Sequence, residues 1–472
     1  MTAPLVQAPR IAGLGAVHQD TVNRLVGQIQ HKAHRNRLRQ KYYDHKNALK
    51  DFGISIPPHM RSVEVAVGMP AKAVDSMSRR NVLDAFTLAS GADPDSLGLG
   101  QIAEDNRLEA LLPQAHTSAL IHATAFGFVT AGDVGAGEPA ALISARSAEW
   151  ATGTWDPRLR ALRDALSIVS VDDLGNPDHM VLYLPNLAII MRREGTRWDL
   201  RQSVHDLGVP VEPLPYRAAL DRPFGRSRIS RPVMSLTDSM VRTLLRTEVG
   251  AEFYNAPQRW AMGASEESFA DKDGNLLTGW QVMLGNLLTL SKDEDGELPK
   301  VGEFKQQSME PNIAQIRMIA QMFASETNLP LRSLAIVGDN PESADAITEA
   351  NKELELDIRH WQDSSLSPAW KRLLTGAMRL HDDSQAARAE YAGLRLRWRN
   401  PTTVSTSAAG DWLVKVGSAI PSLGETSVGM EMAGLNGEQI ERYEAEMRRK
   451  RGTATVRDLI AAGRDAIPAV EV

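Results

Sequence analysis

The fold is decided by two segments, SLTDSMVRTLLRTEVGAEFY at residues 235–254 and PNIAQIRMIAQMFASET at residues 311–327. In both, apolar residues recur at the spacing of one helix face, which predicts two long amphipathic helices. Ser235 followed by Asp238 resembles a capping box, and Pro311 suits the first position of a helix. We expect an isolated subunit to leave these thin apolar stripes exposed, which favours assembly into an oligomer. The stripes are Val233, Met240, Leu244, Leu245, Val249 and Phe253, and then Ile313, Ile316, Ile319, Ala320 and Phe323.

A small β-containing insertion separates the two helices. Trp260–Met262 and Gln281–Leu290 have β-like composition, and the loops around them are strongly acidic. Clusters of carboxylates could hold Mg²⁺ for nuclease chemistry. Because these carboxylates fall in hairpin-type loops, we interpret them instead as a soluble, partner-binding surface. The two clusters are Glu266, Glu267, Asp271 and Asp273, and Asp293, Glu294, Asp295 and Glu297.

The region before the first helix alternates helical and β-like patterns and predicts an α+β domain that ends near Pro223. Turn signals at Gly132-Asp133, Gly175-Asn176-Pro177 and Glu194-Gly195 separate its strands. The predicted helices are Asp20–Phe52, which is rich in Lys and Arg, Ala71–Phe86 and His116–Gly127. The predicted strands are Ala141–Ala145, Leu166–Val171, Met180–Leu184, Ala188–Met191 and Trp198–Val204.

A loop at Asn328–Glu342 follows the second helix. Gly338 allows a backbone conformation that other residues avoid, and Asp339-Asn340-Pro341 favours a turn that starts the next helix. Such a loop suits contact with a moving partner, although the same turn chemistry also fits a plain connector. Helices are then predicted at Ser343–Trp361 and, after a break, Pro368–Leu380, followed by Ala408–Ser418, Ser427–Ala433 and Gly437–Arg451.

Composition excludes several classes of protein. The chain has 472 residues, a net charge of −6 and no cysteine, which argues against binding nucleic acid by bulk positive charge and against thiolate chemistry. No apolar run is long enough to span a bilayer, and from the first residues we expect no secretory signal. Phosphate-loop and zinc-protease motifs are absent, and the fingerprint-like Gly135–Ala140 reads as a turn. His31 with His34, and His381-Asp382-Asp383, could bind a cation, but a solvated helix and a polar helix end explain them better.

We therefore predict no catalytic residue, no cofactor and no metal, and a non-enzymatic role. The sequence also resembles phage portal proteins of the SPP1-type, Gp6-like family, especially those of actinobacterial phages. The resemblance runs in order along nearly the whole chain. It is carried by Tyr42-Tyr43 with Gly53–Pro57, Gly225–Asp238, Ala256–Arg259, Glu310–Arg317, Asp339–Ile347 and Trp398–Pro401.

The resemblance implies a portal fold with an α/β wing, a two-helix stem, a small clip, a long wing helix and a helical crown. In this sequence residues 1–232 would form the N-terminal part of the wing. The stem helices would be 233–256 and 308–327, and the clip would be 257–307. A tunnel loop would span 328–342, the long wing helix and remaining wing 343–400, and the crown 401–472. Tunnel-loop candidates for contact with DNA are Gly338, Asp339, Asn340 and Pro341, and clip candidates for docking are Asp293, Glu294, Asp295 and Glu297.

The resemblance also implies a dodecameric ring at one capsid vertex through which double-stranded DNA is packaged and ejected. The expected partners are other copies of the chain, the terminase large subunit, head–tail connectors, major capsid and scaffolding proteins, and DNA bound without sequence preference. The expected location is the virion, with assembly in the host cytoplasm. Two other readings remain: another head–tail adaptor or minor capsid protein, and a nuclease or hydrolase with an unrecognised site.

Overall fold

A computed structural model describes residues 8–46, 64–255, 259–263, 300–303, 308–334, 344–402, 406–423 and 426–450. The chain divides into two compact units. The first comprises Met1–Gln40, Ala73–Arg228 and Ala344–Val472, and the second comprises Lys41–Lys72 and Ile229–Ser343. None of the helices in the described ranges combines the length and apolarity that crossing a membrane would require.

A five-stranded antiparallel meander forms much of the first unit. Its strands follow chain order, each pairing with the next. Alternate residues of the central strands point to opposite faces, and both faces are buried. The helix α1 (Ala16–Tyr43) packs Leu25 and Ile29 against one face, on Ile168 and Met180 among others. The strands are β4 (Ala151–Asp156), β5 (Ala161–Val171), β6 (Pro177–Leu184), β7 (Leu187–Glu194) and β8 (Arg197–Val204).

The basic helix predicted at Asp20–Phe52 is confirmed as α1 up to Tyr43. Its apolar stripe was only partly right, since Leu38 is exposed. The basic side chain of Arg24 pairs with Asp164 of β5 at 2.8 Å. This ion pair adds a polar contact to the packing of α1 on the five-stranded sheet.

A three-stranded antiparallel sheet has β2 (Thr124–Ala131) at its centre, flanked by β3 (Ala141–Ser147) and β9 (Val211–Pro215). The prediction of one helix over His116–Gly127 was wrong. Helix α4 (Leu108–His122) ends at Ala123, whose φ is +83°, and β2 begins at the next residue. Because β2 is buried on both faces, its sequence is a continuous apolar run with no alternation to mark it as a strand.

A third, two-stranded sheet pairs distant parts of the chain. The helix predicted over Ala71–Phe86 was wrong at its end. Helix α2 (Met69–Ser78) ends at Ser78, and strand β1 (Leu83–Leu88) follows in place of its predicted last residues. Strand β1 pairs antiparallel with β12 (Leu394–Trp398). The short helix α3 (Leu99–Asp105) lies between β1 and α4 in the chain.

The two helices predicted on either side of a break are in fact continuous. Between α7 (Ala344–Trp361) and α8 (Ser367–His381) the chain makes a π-helical turn at Gln362–Leu366. Trp361 and Leu366, on either side of this turn, are both buried in the first unit, so their packing stabilises the π-helical turn. Helix α9 (Gln385–Ala392) was not predicted. The three helices after it agree closely with prediction, and they are α10 (Thr406–Ala419), α11 (Ser427–Met432) and α12 (437–450).

Three tryptophans surround a fully buried histidine in this unit. Trp370 donates its indole N–H to Nε2 of His116 at 3.0 Å, and the rings of Trp361 and Trp398 lie 5.7 Å from the imidazole. Burial lowers the pKa of His116 to about 3, so the ring is neutral at physiological pH. Burial and the nearby Arg39 likewise lower the pKa of His122 to about 3.

The second unit contains the two long helices. They are α5 (Arg231–Asn255) and α6 (Glu310–Thr327), and both predictions of a helix are confirmed. The capping box at Ser235 was wrong, because α5 begins at Arg231. The hydroxyl of Ser230 accepts the N–H of Val233 at 3.3 Å and caps the helix instead. Strands β10 (Arg259–Met262) and β11 (Lys300–Glu303) lie between the two helices in the chain. Strand β10 confirms the β-like segment predicted at Trp260–Met262, whereas the one predicted at Gln281–Leu290 lies outside the described residues.

The α+β fold class predicted from sequence is thus confirmed. Sheets and helices follow one another along the first unit, and strand pairing is antiparallel throughout the described chain.

Candidate functional site

Most of the apolar stripe residues of α5 and α6 whose side chains are described are buried. The expectation that an isolated subunit would expose both stripes was therefore wrong for most of their residues. Three apolar side chains of α6 do remain exposed: Ile313, Met318 and Met322. The buried residues of the pair are Val233, Met240, Val241, Leu245, Ile319, Ala320, Phe323 and Ala324.

Polar contacts fix the start of α5. Ser230 donates its hydroxyl to Glu326 of α6 at 2.9 Å. The buried Tyr42 donates its phenol to both carboxylate oxygens of Asp238, at 2.9 and 2.8 Å. Burial and this hydrogen bond raise the pKa of Tyr42, so the phenol keeps its proton and the contact persists across the physiological range. These contacts give the helix pair one defined geometry at this end.

The insertion between the helices has a closed base. Strands β10 and β11 pair antiparallel, with Trp260 opposite Gly302. A Cβ on Gly302 would lie 2.5 Å from the indole of Trp260, so only glycine allows the ring to rest there. The chain therefore leaves α5 and returns toward α6 through one paired ribbon.

The second unit also holds an apolar pocket of about 520 Å³. Met240 and Leu244 of α5 and Ile316 of α6 form part of its wall, together with Val67 and Met69. The side chains of Lys72 and Arg317 also line it. Neither of these two cations makes an ion pair with any residue in the described part of the chain.

A tight strap of backbone runs from Tyr216 to Arg228 in the first unit. The N–H of Arg226 donates to the carbonyl of Tyr216 at 2.7 Å and closes the strap at its base. Gly225 has a φ of +69°, and a Cβ there would lie 2.1 Å from the same carbonyl oxygen. The buried guanidinium of Arg228 donates to the carbonyl of Ala73 at 2.7 Å and to the hydroxyl of Tyr216 at 2.8 Å. Part of the stretch that carries the family resemblance, Gly225–Asp238, is therefore an anchor for the chain as it leaves the first unit.

The tip of this strap is a two-residue turn. Ala219 and Arg222 exchange both backbone hydrogen bonds, at 3.1 and 2.9 Å, so Leu220 and Asp221 stand at the end. Leu220 is 98% exposed, more than any other large apolar side chain in the described ranges.

The eight site residues predicted from sequence lie outside the described residues and stay predictions. Of the predicted tunnel loop, the structure describes only the start: α6 ends at Asn328 with a φ of +52°, Leu329 is buried, and Leu331–Leu334 form a 3₁₀ turn. The undescribed candidates are Gly338, Asp339, Asn340 and Pro341 of the loop, and Asp293, Glu294, Asp295 and Glu297 of the insertion.

The sequence candidates for cation binding lie within the described residues. The side chains of His31 and His34 are exposed on α1, and no group of three or more potential metal ligands occurs among the residues that the structure describes. Asp383, at the end of α8, accepts hydrogen bonds from Arg388 and Arg379, which lower its pKa to about 2. It forms a polar helix end, as the simpler interpretation proposed. The fingerprint-like stretch at Gly135 is a short 3₁₀ turn at Val134–Ala136.

Sequence reasoning missed both the pocket and the strap turn. The pocket joins residues near position 70 to residues near 240 and 316, and no local pattern records such a contact. The turn carries no such pattern either, because Leu220 follows two alanines and no periodicity marks it as exposed.

Comparison with known proteins gives the family. A model described as "Phage portal protein, SPP1 Gp6-like" matches residues 23–450. The portal protein of Mycobacterium phage D29 is 27% identical over 423 residues, covering 88% of this chain and 85% of that protein. The portal protein of Mycobacterium phage L5 is 26% identical over the same length and coverage.

Solved structures with partial likeness include two particle necks. One is titled "Neck of native GTA particle computed with C12 symmetry", at 13% identity and a TM-score of 0.40, covering 78% of this chain and 89% of that one. The other, the neck of an empty GTA particle computed with C6 symmetry, has 13% identity and a TM-score of 0.43 over 77% and 89%.

The match over residues 23–450 spans most of the chain, and the chain belongs to the SPP1 Gp6-like family of phage portal proteins. The resemblance drawn from sequence is confirmed, including its actinobacterial character, since both relatives come from mycobacteriophages. The predicted function of a phage portal protein is confirmed with it, and the place of such a protein is the capsid vertex of the particle. The family is a structural one and not a family of enzymes.

Proposed function

We propose that twelve copies of this chain form a closed ring through which double-stranded DNA enters and leaves the capsid. The observation that carries the proposal is the α5–α6 helix pair with the paired ribbon β10–β11 between its helices. A pair of long helices that ends in a separate module is a suitable building block for a channel wall with a docking end.

The proposed parts follow the boundaries predicted from sequence. Residues 1–232 and 343–400 form the wing, 233–256 and 308–327 the stem, and 257–307 the clip. Residues 328–342 form the tunnel loop, with Gly338–Pro341 facing DNA, and 401–472 form the crown. The described elements support this division, because α5 and α6 lie within the proposed stem ranges to within two residues at their starts.

The electrostatics suit a channel that must not grip its cargo. Duplex DNA carries about one negative charge per 1.7 Å of axis. The chain has a net charge of −6, and ring symmetry multiplies each side chain into a circle of like charges. A mostly non-positive lining lets the duplex slide, and isolated basic rings guide it without stopping it.

The proposed partners dock at the two ends of the ring. The acidic clip, through Asp293, Glu294, Asp295 and Glu297, receives the terminase large subunit during packaging and head–tail connectors afterwards. Major capsid and scaffolding proteins surround the ring as it assembles in the host cytoplasm. The chain itself performs no catalysis in this scheme, because the energy for packaging comes from the docked motor.

Negative-stain electron microscopy of the purified chain tests the proposal. We expect closed rings with a central hole, formed without DNA or nucleotide. Light scattering that shows a folded monomer at every concentration would overturn it and would favour an adaptor or minor capsid protein that joins a preformed ring.

A further inference from the structure

We propose that the Leu220–Asp221 turn of one subunit docks into the apolar pocket of α5 and α6 on the neighbouring subunit. This inference rests on the proposed ring and names one of the contacts that close it. The turn belongs to the first unit and the pocket to the second, so one chain carries both halves of the contact.

The turn is built to present its tip. The two hydrogen bonds between Ala219 and Arg222 fix its shape, and the N–H of Gly225 donates to Arg222 at 2.9 Å just below. At its base, Arg217 pairs with Asp357 at 2.8 Å, and Phe224 packs onto the buried cluster that contains Phe126. A rigid loop loses little conformational entropy on binding, which favours its use as an anchor.

The exposed side chain of Leu220 is suited to bind a partner. A single exposed leucine is ordinary on a protein surface. Here, however, the leucine is 98% exposed at the tip of a braced turn, and none of the residues that the structure describes shields it. Burying it in an apolar site removes that surface from water.

The pocket complements the tip in both shape and charge. Its wall is mostly aliphatic, from Met240, Leu244 and Ile316, and its volume of about 520 Å³ admits a leucine side chain. Lys72 and Arg317 supply two positive charges that pair with no acid in the described chain. Next to Leu220, Asp221 presents one exposed carboxylate. This carboxylate lies 3.6 Å from the guanidinium of Arg222.

The occupant is a second copy because the two surfaces are different and both belong to this chain. A contact between unlike surfaces of identical subunits is head-to-tail, and such contacts generate rings when the rotation closes. In a closed ring every turn fills one pocket, and no turn or pocket is left over.

Disulfide trapping tests the contact directly, because the natural chain has no cysteine to interfere. The double variant Leu220→Cys with Ile316→Cys places one thiol on the tip and one in the pocket wall. Under mild oxidation we expect a ladder of covalent oligomers up to the full ring on a non-reducing gel, and no ladder from either single variant.

The matched control is Leu174→Cys with Ile316→Cys. Leu174 is also a highly exposed leucine in a hairpin turn of the first unit, at 88%, but it has no role in the proposed contact. Rings seen by microscopy without a ladder from the first pair, or an equal ladder from the control pair, would overturn this inference and leave the ring itself intact. Absence of rings from the unmodified chain would instead refute the proposed function.

Charge reversal gives an independent readout. Asp221→Lys would bring a cation against Lys72 and Arg317, and we expect the subunit concentration at half-assembly to rise roughly tenfold or more. Combining it with Arg317→Glu should recover most of the loss, as measured by mass photometry. If the combined variant assembled no better than Asp221→Lys alone, the pairing would be wrong.

Discussion

Replacing Gly225 with alanine should destabilise the first unit far more than the same change at another glycine with positive φ. The left-handed conformation costs an alanine about 1–2 kcal/mol. At Gly225 the new Cβ would also lie 2.1 Å from the carbonyl oxygen of Tyr216 and 2.9 Å from its carbon, both backbone atoms that cannot rotate away. The strap must therefore move by roughly 1 Å to restore ordinary van der Waals contact.

That movement breaks the 2.7 Å hydrogen bond from Arg226 to the same carbonyl, in a residue that is 2% exposed. Leaving a buried carbonyl without its partner costs about 1–3 kcal/mol. The total expected loss for Gly225→Ala is about 2–5 kcal/mol, the sum of the backbone cost and the broken hydrogen bond.

Gly175→Ala isolates the conformational part. Gly175 has a φ of +82° in a hairpin turn of the same unit, and a Cβ there meets nothing within 4 Å. We expect this control to cost only the 1–2 kcal/mol of the left-handed backbone. Urea unfolding followed by tryptophan fluorescence suits the comparison, because Trp361 lies 5.5 Å from the ring of Tyr216. Equal shifts in the urea midpoint for the two variants would refute the close-contact argument.

Three further outcomes are expected. Acidification from pH 6.5 toward 3 should destabilise the first unit, because His116 and His122 have folded-state pKa values of about 3, below the ordinary 6.5, so the unfolded chain binds more protons. Each histidine contributes up to about 1.4 kcal/mol per pH unit to the slope of the free energy of unfolding against pH. His116→Gln should make this slope shallower, and an unchanged slope would contradict the prediction. Neutralising the clip carboxylates should leave rings intact but weaken docking of the tailward partner, and normal packaging and tail joining would exclude the assignment; the changes are Asp293→Asn, Glu294→Gln, Asp295→Asn and Glu297→Gln. Deleting residues 338–340 should preserve rings and initiation of packaging yet give heads that leak or under-fill, whereas full, stable heads would leave the loop a simple connector.

Much of the fold could be predicted because its signals are local. The strands β5 to β8 were found since turn residues such as Gly175 and Gly195 separate them and their composition is strongly β-like. Helices α5, α6 and α7 were found since their apolar residues repeat at helical spacing over 18 residues or more. For these elements, the residues of the segment itself are enough to predict the secondary structure.

The elements that were missed depend on distant partners. Strand β9 contains Pro213 and Pro215, which argue against a strand, yet it lies at the edge of its sheet, where proline is tolerated. Strand β1 pairs with β12 across about 310 residues of chain, and neither strand reveals the other. The helix start at Arg231 was misplaced because Ser235 and Asp238 fit a capping box by sequence while Ser230 is the residue that caps.

The prediction of a portal protein came from the order of several weak sequence similarities. Hydrophobic periodicity and residue spacing alone could not have given it. A channel protein has no constellation of reactive groups for sequence reasoning to find, because its function arises only when subunits meet. The pocket and the strap turn illustrate this, since each becomes meaningful only beside another copy.

The paired ribbon of β10 and β11 has a consequence for how such a protein can change over time. Because the segment 264–299 departs and returns at one closed base, its length can vary while the spacing of α5 and α6 stays constant. In general, doubling the length of a loop adds only about 0.6 kcal/mol of closure entropy. The ribbon therefore allows the insertion to change in length during evolution without a compensating change in the two helices.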